Sequence, residues 1–147
     1  MEKGTAVTED CTSMTLGQVR DFLQCEVFVD PGNLDAVTVT GACGADLMSD
    51  VLAYIKPGAL LLTGLTSAQS VRTAEVADIR AVVYVRNKHP EPRALALAHE
   101  IGLPLLGTPL LMYEACGRLH AAGLPGCATQ TRTHERTNAR AHDAQGV

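Results

Sequence analysis

Residues 60–90 read LLLTGLTSAQSVRTAEVADIRAVVYVRNKHP, and this run decides the fold. The stretch ALLLTG (59–64) is apolar without a break, the pattern of a strand buried on both faces. It ends in Thr63-Gly64, and SAQSVRTAEVAD (67–78) then has helical character. AVVYVR (81–86) is a second strand, ending in Arg86, Asn87 and Lys88. The same beat continues downstream. PRALALAHEIG (92–102) places Ala94, Leu97, Ala98 and Ile101 on one helical face, with Gly102 as a stop and Pro104 beyond it. LPLLGT (103–108) is a short strand, and PLLMYEACGRLHAAG (109–123) is a helix with Pro at its start and Gly at its end. Strands alternating with helices over short links require a parallel sheet with right-handed crossovers.

Upstream, TLGQVRDFL is a short helix that Thr15 can cap, with Leu16, Val19 and Leu23 on one face. CEVFV (25–29) and AVTVTGA (36–42) read as two strands flanking DPGN, where Pro31-Gly32 marks a turn. DLMSDVLAYI (46–55) is a helix with Leu47, Val51 and Ile55 four apart, ended by Pro57-Gly58. Residues 1–14 are polar and read as a flexible N-terminus. Residues 15–124 form one α/β domain. Residues 125–147 carry almost no large apolar side chain and read as a disordered tail, because they cannot bury enough surface to offset ordering entropy.

Composition narrows the function. Of 147 residues, 46% are hydrophobic and 19% charged, enough for a core. A net charge of -4 leaves no electrostatic footprint for nucleic acid or an anionic membrane. Aromatic residues make up 3%, with no Trp, so base-stacking platforms are not expected. GALLLTGL is too short to span a bilayer, and the polar MEKGTAVTEDCTSMT does not read as a signal peptide. Five cysteines, at 11, 25, 43, 116 and 127, make an odd set without a C-x-x-C pair. They fit free thiols in a reducing cytoplasm, buried as small hydrophobes, with no metal site.

ACGADLMSDVL, LLTGL, VRTAE and ACGRL, spread over residues 14–124, resemble the small stand-alone DRTGG-domain proteins. That wider family takes in the N-terminal domain of HPr kinase/phosphorylase and accessory domains of some phosphotransacetylases and CBS-containing pyrophosphatases. The resemblance implies a three-layer α/β sandwich like the first domain of HPr kinase. It also implies a regulatory or structural role, commonly at a dimer interface. A literal Asp-Arg-Thr-Gly-Gly string is absent; LLLTGL stands where the related Gly-containing turn would fall. No GxxxxGK[ST] occurs to cradle a nucleoside triphosphate, so kinase chemistry does not follow from the resemblance.

In a parallel sheet the strand C-termini share one edge, where ligands bind. Three such ends precede helices, whose N-termini offer free N–H groups. Thr63, Gly64, Thr66, Ser67 and Ser70 stand at the first, Arg86, Lys88 and His89 at the second, Gly107 and Thr108 at the third. Converged, they would hold a small phosphate or nucleotide. Unconverged, they are loop punctuation: Gly for turns, Ser as a cap, Arg and Lys as solvated charges. Asp46, Ser49 and Asp50 lie on one helical turn. They could serve acid/base work or a divalent ion, or simply favour a helix N-terminus, with Asp46 near the cap. No catalytic constellation and no cofactor motif is present.

The expectation is a non-enzymatic regulatory or interaction module that senses a phosphorylated or nucleotide-like ligand at the strand edge. Two alternatives stand beside it. One is a small enzyme using the same pocket with Asp46/Asp50 or Cys43; the other is a purely structural subunit for a protein partner. A homodimer is expected because LLMYEACGRLHAAG is apolar on several sides, through Leu110, Leu111, Met112, Tyr113 and Leu119. The rival arrangement has the N-terminal helix covering that surface within one chain.

Overall fold

The structure, a computed structural model, describes residues 13–127. In chain order its elements are β1 (Met14–Thr15), α1 (Leu16–Leu23), β2 (Glu26–Val29), a 3-10 turn (Leu34–Ala36), β3 (Thr38–Val39), β4 (Ala42–Gly44) and α2 (Met48–Tyr54). There follow β5 (Leu60–Thr63), α3 (Ala68–Val76), β6 (Ala81–Tyr84), α4 (Pro92–Ile101), β7 (Leu105–Gly107) and α5 (Met112–Ala121). The main sheet has the order β2-β7-β6-β5-β4. β4 to β7 are parallel, and β2 joins β7 antiparallel.

Helices cover both faces, so the domain is a three-layer α/β sandwich. Side chains alternate across a strand, and here each set meets its own helices. Leu60, Leu62, Val83 and Leu106 pack with residues of α1 and α5. Leu61, Val82, Tyr84 and Leu105 pack with residues of α2, α3 and α4. Leu60, Leu61 and Leu62 have no exposed area, which is why this strand shows no polar alternation. At the N-terminus, α1 carries the expected cap. Thr15 Oγ1 accepts from the Gln18 N–H at 3.1 Å, and the Gln18 side chain accepts the Thr15 N–H at 2.9 Å.

Several expectations need correction. Residues 36–42 are not one strand. They divide at Gly41: β3 pairs with β1 in a separate two-stranded ladder, while β4 joins the main sheet at the edge opposite β2. The DPGN turn therefore does not join neighbours. The cause lies far along the chain. Ala42 donates to the Pro125 carbonyl at 2.9 Å and accepts from Cys127 N–H at 3.0 Å, and a side chain at Gly41 would run into Cys127. The last helix begins at Met112, not at Pro109, with Leu111 as its N-cap. Just outside the expected bounds of 15 and 124, Met14 is buried in β1 and Cys127 is buried beside β4. The rest of the expected flexible N-terminus (1–12) and tail (128–147) lies outside the described residues. Among the described residues no helix is long and apolar enough to cross a membrane.

Candidate functional site

The C-terminal edge of the sheet has one place where connections part: β6 leads to α4 on one face, and β7 leads to α5 on the other. Such divergence opens a crevice in many α/β proteins. Here the turn after β6 fills it. Arg86 and Asn87 adopt left-handed backbone angles, φ 61° and 59°. That turns their N–H groups onto the carbonyls of Leu110 and Thr108, each at 2.8 Å. These two amides are committed within the chain.

At β5 a polar cluster surrounds Gly64. Asp46 comes from the link between β4 and α2. Its Oδ1 accepts the Gly64 N–H at 2.7 Å and the Thr63 hydroxyl at 3.1 Å. Thr63 Oγ1 in turn accepts the Leu65 N–H at 3.1 Å. Lys88 Nζ donates to the Gly64 carbonyl at 2.9 Å. A Cβ placed on Gly64 would lie 3.5 Å from Arg86 Nη2, 3.5 Å from Asp46 Oδ1 and 3.6 Å from Lys88 Nζ. One carboxylate and two cations thus converge on one glycine. Among the described residues the ion pairs are Arg20–Asp21 and Arg118–Glu114, with His89 Nε2 3.6 Å from Glu26 Oε1, and neither Arg86 nor Lys88 takes part in such a contact. Arg86 is exposed and Lys88 half-buried.

The other expected site residues go elsewhere. Ser70 is buried: its hydroxyl donates to the Ser67 carbonyl at 2.8 Å and shares a 2.9 Å hydrogen bond with the Tyr84 hydroxyl. Thr108 is also buried and donates to the Leu23 carbonyl at 2.6 Å, tying β7 to the end of α1. The space beside Gly107 is filled by the Phe28 ring, so this glycine serves packing. Thr66 is half-buried and accepts the Glu91 N–H at 3.0 Å through its carbonyl. Ser67 is the N-cap residue of α3 but makes no side-chain capping bond. His89 lies away from the cluster, 3.6 Å from Glu26 and against Phe28. Ser49 and Asp50 are exposed on α2. Asp46 is outside that helix, whose N-cap is Leu47, so its carboxylate serves β5 rather than the helix dipole. Phe28 and Tyr84 were not singled out by sequence; a lone aromatic inside an aliphatic strand was the available signal.

Two hollows lie off this edge. One of about 300 Å³ sits at the opposite edge, between Ala74, Asp78, Arg80 and Leu103. The other, of about 280 Å³, runs between β4 and α5 and is lined by Cys43, Cys116, Leu119 and Leu124. Burial pushes the Cys43 thiol up, and the neighbouring Cys116 adds to it; burial raises Cys116 as well. Both are poor nucleophiles at neutral pH. Among the described residues no group of three or more His, Cys, Asp or Glu is placed to hold a metal ion.

Neither family models nor curated proteins give a match to the chain. Among solved structures, it is similar to the CBS and DRTGG domains of the regulatory region of Clostridium perfringens pyrophosphatase, crystallised with its activator diadenosine tetraphosphate. The TM-score is 0.60 at 16% identity, covering 85% of this chain and 53% of that one. The two share a fold, and the chain spans about half the length of that regulatory region.

Proposed function

We propose that this chain is a non-enzymatic regulatory module of the DRTGG type, kin to the N-terminal domain of HPr kinase/phosphorylase and cytoplasmic. It senses a phosphorylated or nucleotide-like ligand at the end of β5. The observation that carries this reading is the convergence of Arg86 and Lys88 on Gly64 with no carboxylate of the described residues in a salt bridge to either. Guanidinium and ammonium groups at one small backbone site suit phosphate oxygens. The nucleotide activator of the similar regulatory region makes nucleotides the first ligands to try. An enzymatic role through Cys43 is disfavoured by its raised thiol. Isothermal titration with AMP, ADP, ATP and diadenosine tetraphosphate is the test. At least one should bind, and Arg86→Ala with Lys88→Ala should weaken it by about tenfold or more, since hydrogen bonds to charged groups contribute about 1.5–3 kcal/mol each. Unchanged binding by the double variant moves the site; no binding at all favours a purely structural subunit.

The same module acts as a homodimer in this reading. α1 lies against α5, as the rival arrangement expected, and covers one side of it. Yet Leu111 and Tyr113, at the start of α5, remain 61% and 90% exposed, and Leu47 on the same sheet edge is 61% exposed. Light scattering at micromolar concentration should read about twice the 15.5 kDa chain mass. A single-chain mass persisting at higher concentration removes the dimer.

A further inference from the structure

We propose that Asp46 is a built-in stand-in for the ligand's anion, and that the ligand binds by displacing it. This rests on the reading of the β5 end as an anion site. Where a strand ends in glycine before a helix, the glycine N–H and a nearby hydroxyl are the donors a phosphate oxygen would take. Here a carboxylate oxygen of the chain itself holds both: Gly64 N–H at 2.7 Å and Thr63 Oγ1 at 3.1 Å. The two cations that would neutralise a bound anion lie beside the same glycine. The Gly64 amide has a single hydrogen, so Asp46 and a ligand oxygen exclude one another.

Asp46 is suited to leave. It is exposed, and its side chain caps no helix, because α2 starts after Leu47 without a side-chain capping bond. Turned outward, the carboxylate is hydrated and nothing buried loses a partner except the donors the ligand takes over. The displacement also frees the link between β4 and α2, which carries the exposed Leu47. Occupancy of the site is thereby passed to an apolar surface, as a regulatory module requires.

The test is titration of the full chain with inorganic pyrophosphate, comparing wild type, Asp46→Ala, Asp46→Asn and Asp46→Ala combined with Arg86→Ala and Lys88→Ala. Asp46→Ala should bind about tenfold tighter than wild type, because the competing acceptor is gone. Asp46→Asn keeps the shape and loses the charge, so it should fall between them. It also serves as the reading should Asp46→Ala fail to fold. The triple variant should lose the gain. If the Asp46 variants bind no tighter than wild type while Arg86→Ala with Lys88→Ala weakens wild-type nucleotide binding, the stand-in role falls and the site stands. If no protein in the set binds pyrophosphate or nucleotide, both fall.

Discussion

The ends of β5 and β7 look alike on paper, Thr63-Gly64 and Gly107-Thr108, each before a helix. In the fold they have opposite characters. The β7 end is sealed: Phe28 fills the space beside Gly107, and the Thr108 hydroxyl is spent on a carbonyl of α1. The β5 end is charged: Gly64, itself buried, is ringed by the tips of Asp46, Arg86 and Lys88, of which Asp46 and Arg86 are exposed residues. The difference comes from neighbours. β7 lies between β6 and the antiparallel β2, which brings Phe28 over it. β5 lies next to the edge strand β4, whose following link supplies Asp46.

The glycines give the larger contrast. Gly107→Ala drives a methyl into the Phe28 ring and should cost about 2 kcal/mol in urea unfolding, an overpacking penalty. Part of it should return when Phe28→Leu is added, since the two sites share one space. Gly64→Ala meets only the flexible ends of charged side chains at ordinary contact distance and should cost less than about 0.5 kcal/mol. Equal costs at the two positions would break the comparison.

The threonines give a smaller one. Thr108→Val leaves the Leu23 carbonyl without its partner in a buried setting and the half-buried Leu110 N–H without its own, for about 2 kcal/mol. Thr63→Val releases Asp46, which water can serve, and strands only the half-buried Leu65 N–H, for about 1 kcal/mol. Denaturation midpoints at constant slope measure both. A larger loss at Thr63 would mean that the charged end carries the greater structural weight.

The layered α/β fold was legible because the signals that make it are local. The unbroken LLL of β5, the four-residue spacing of Ala94 and Ala98, and Gly102 at φ 75° all act within a few residues. Arg86 and Lys88 were legible as charges at a strand end for the same reason. What sequence concealed was set at long range. Asp46 precedes a helix and reads as its cap, but its partners lie 17 and 18 residues on. Ser70 reads as a hydroxyl offered at the strand edge, but it is buried against Tyr84 and the Ser67 carbonyl. Thr108 differs from Thr63 only through a carbonyl 85 residues away. Gly41 divides a β-branched run because Cys127 occupies the space beside it.

The antiparallel strand at the sheet's margin has a consequence for synthesis. Among the described residues β2 pairs with β7 alone, so Glu26 and Val27 wait for residues about eighty positions later, Gly107 and Leu106. At roughly 5–20 residues per second, that wait on the ribosome is on the order of 4–16 s. Meanwhile α1 and the small β1–β3 ladder are already translated, and Val27, Phe28 and Val29 stand without the strand they will join. An unpaired apolar edge is a template for another chain. The β2 edge thus stays without its partner on the nascent chain until β7 arrives.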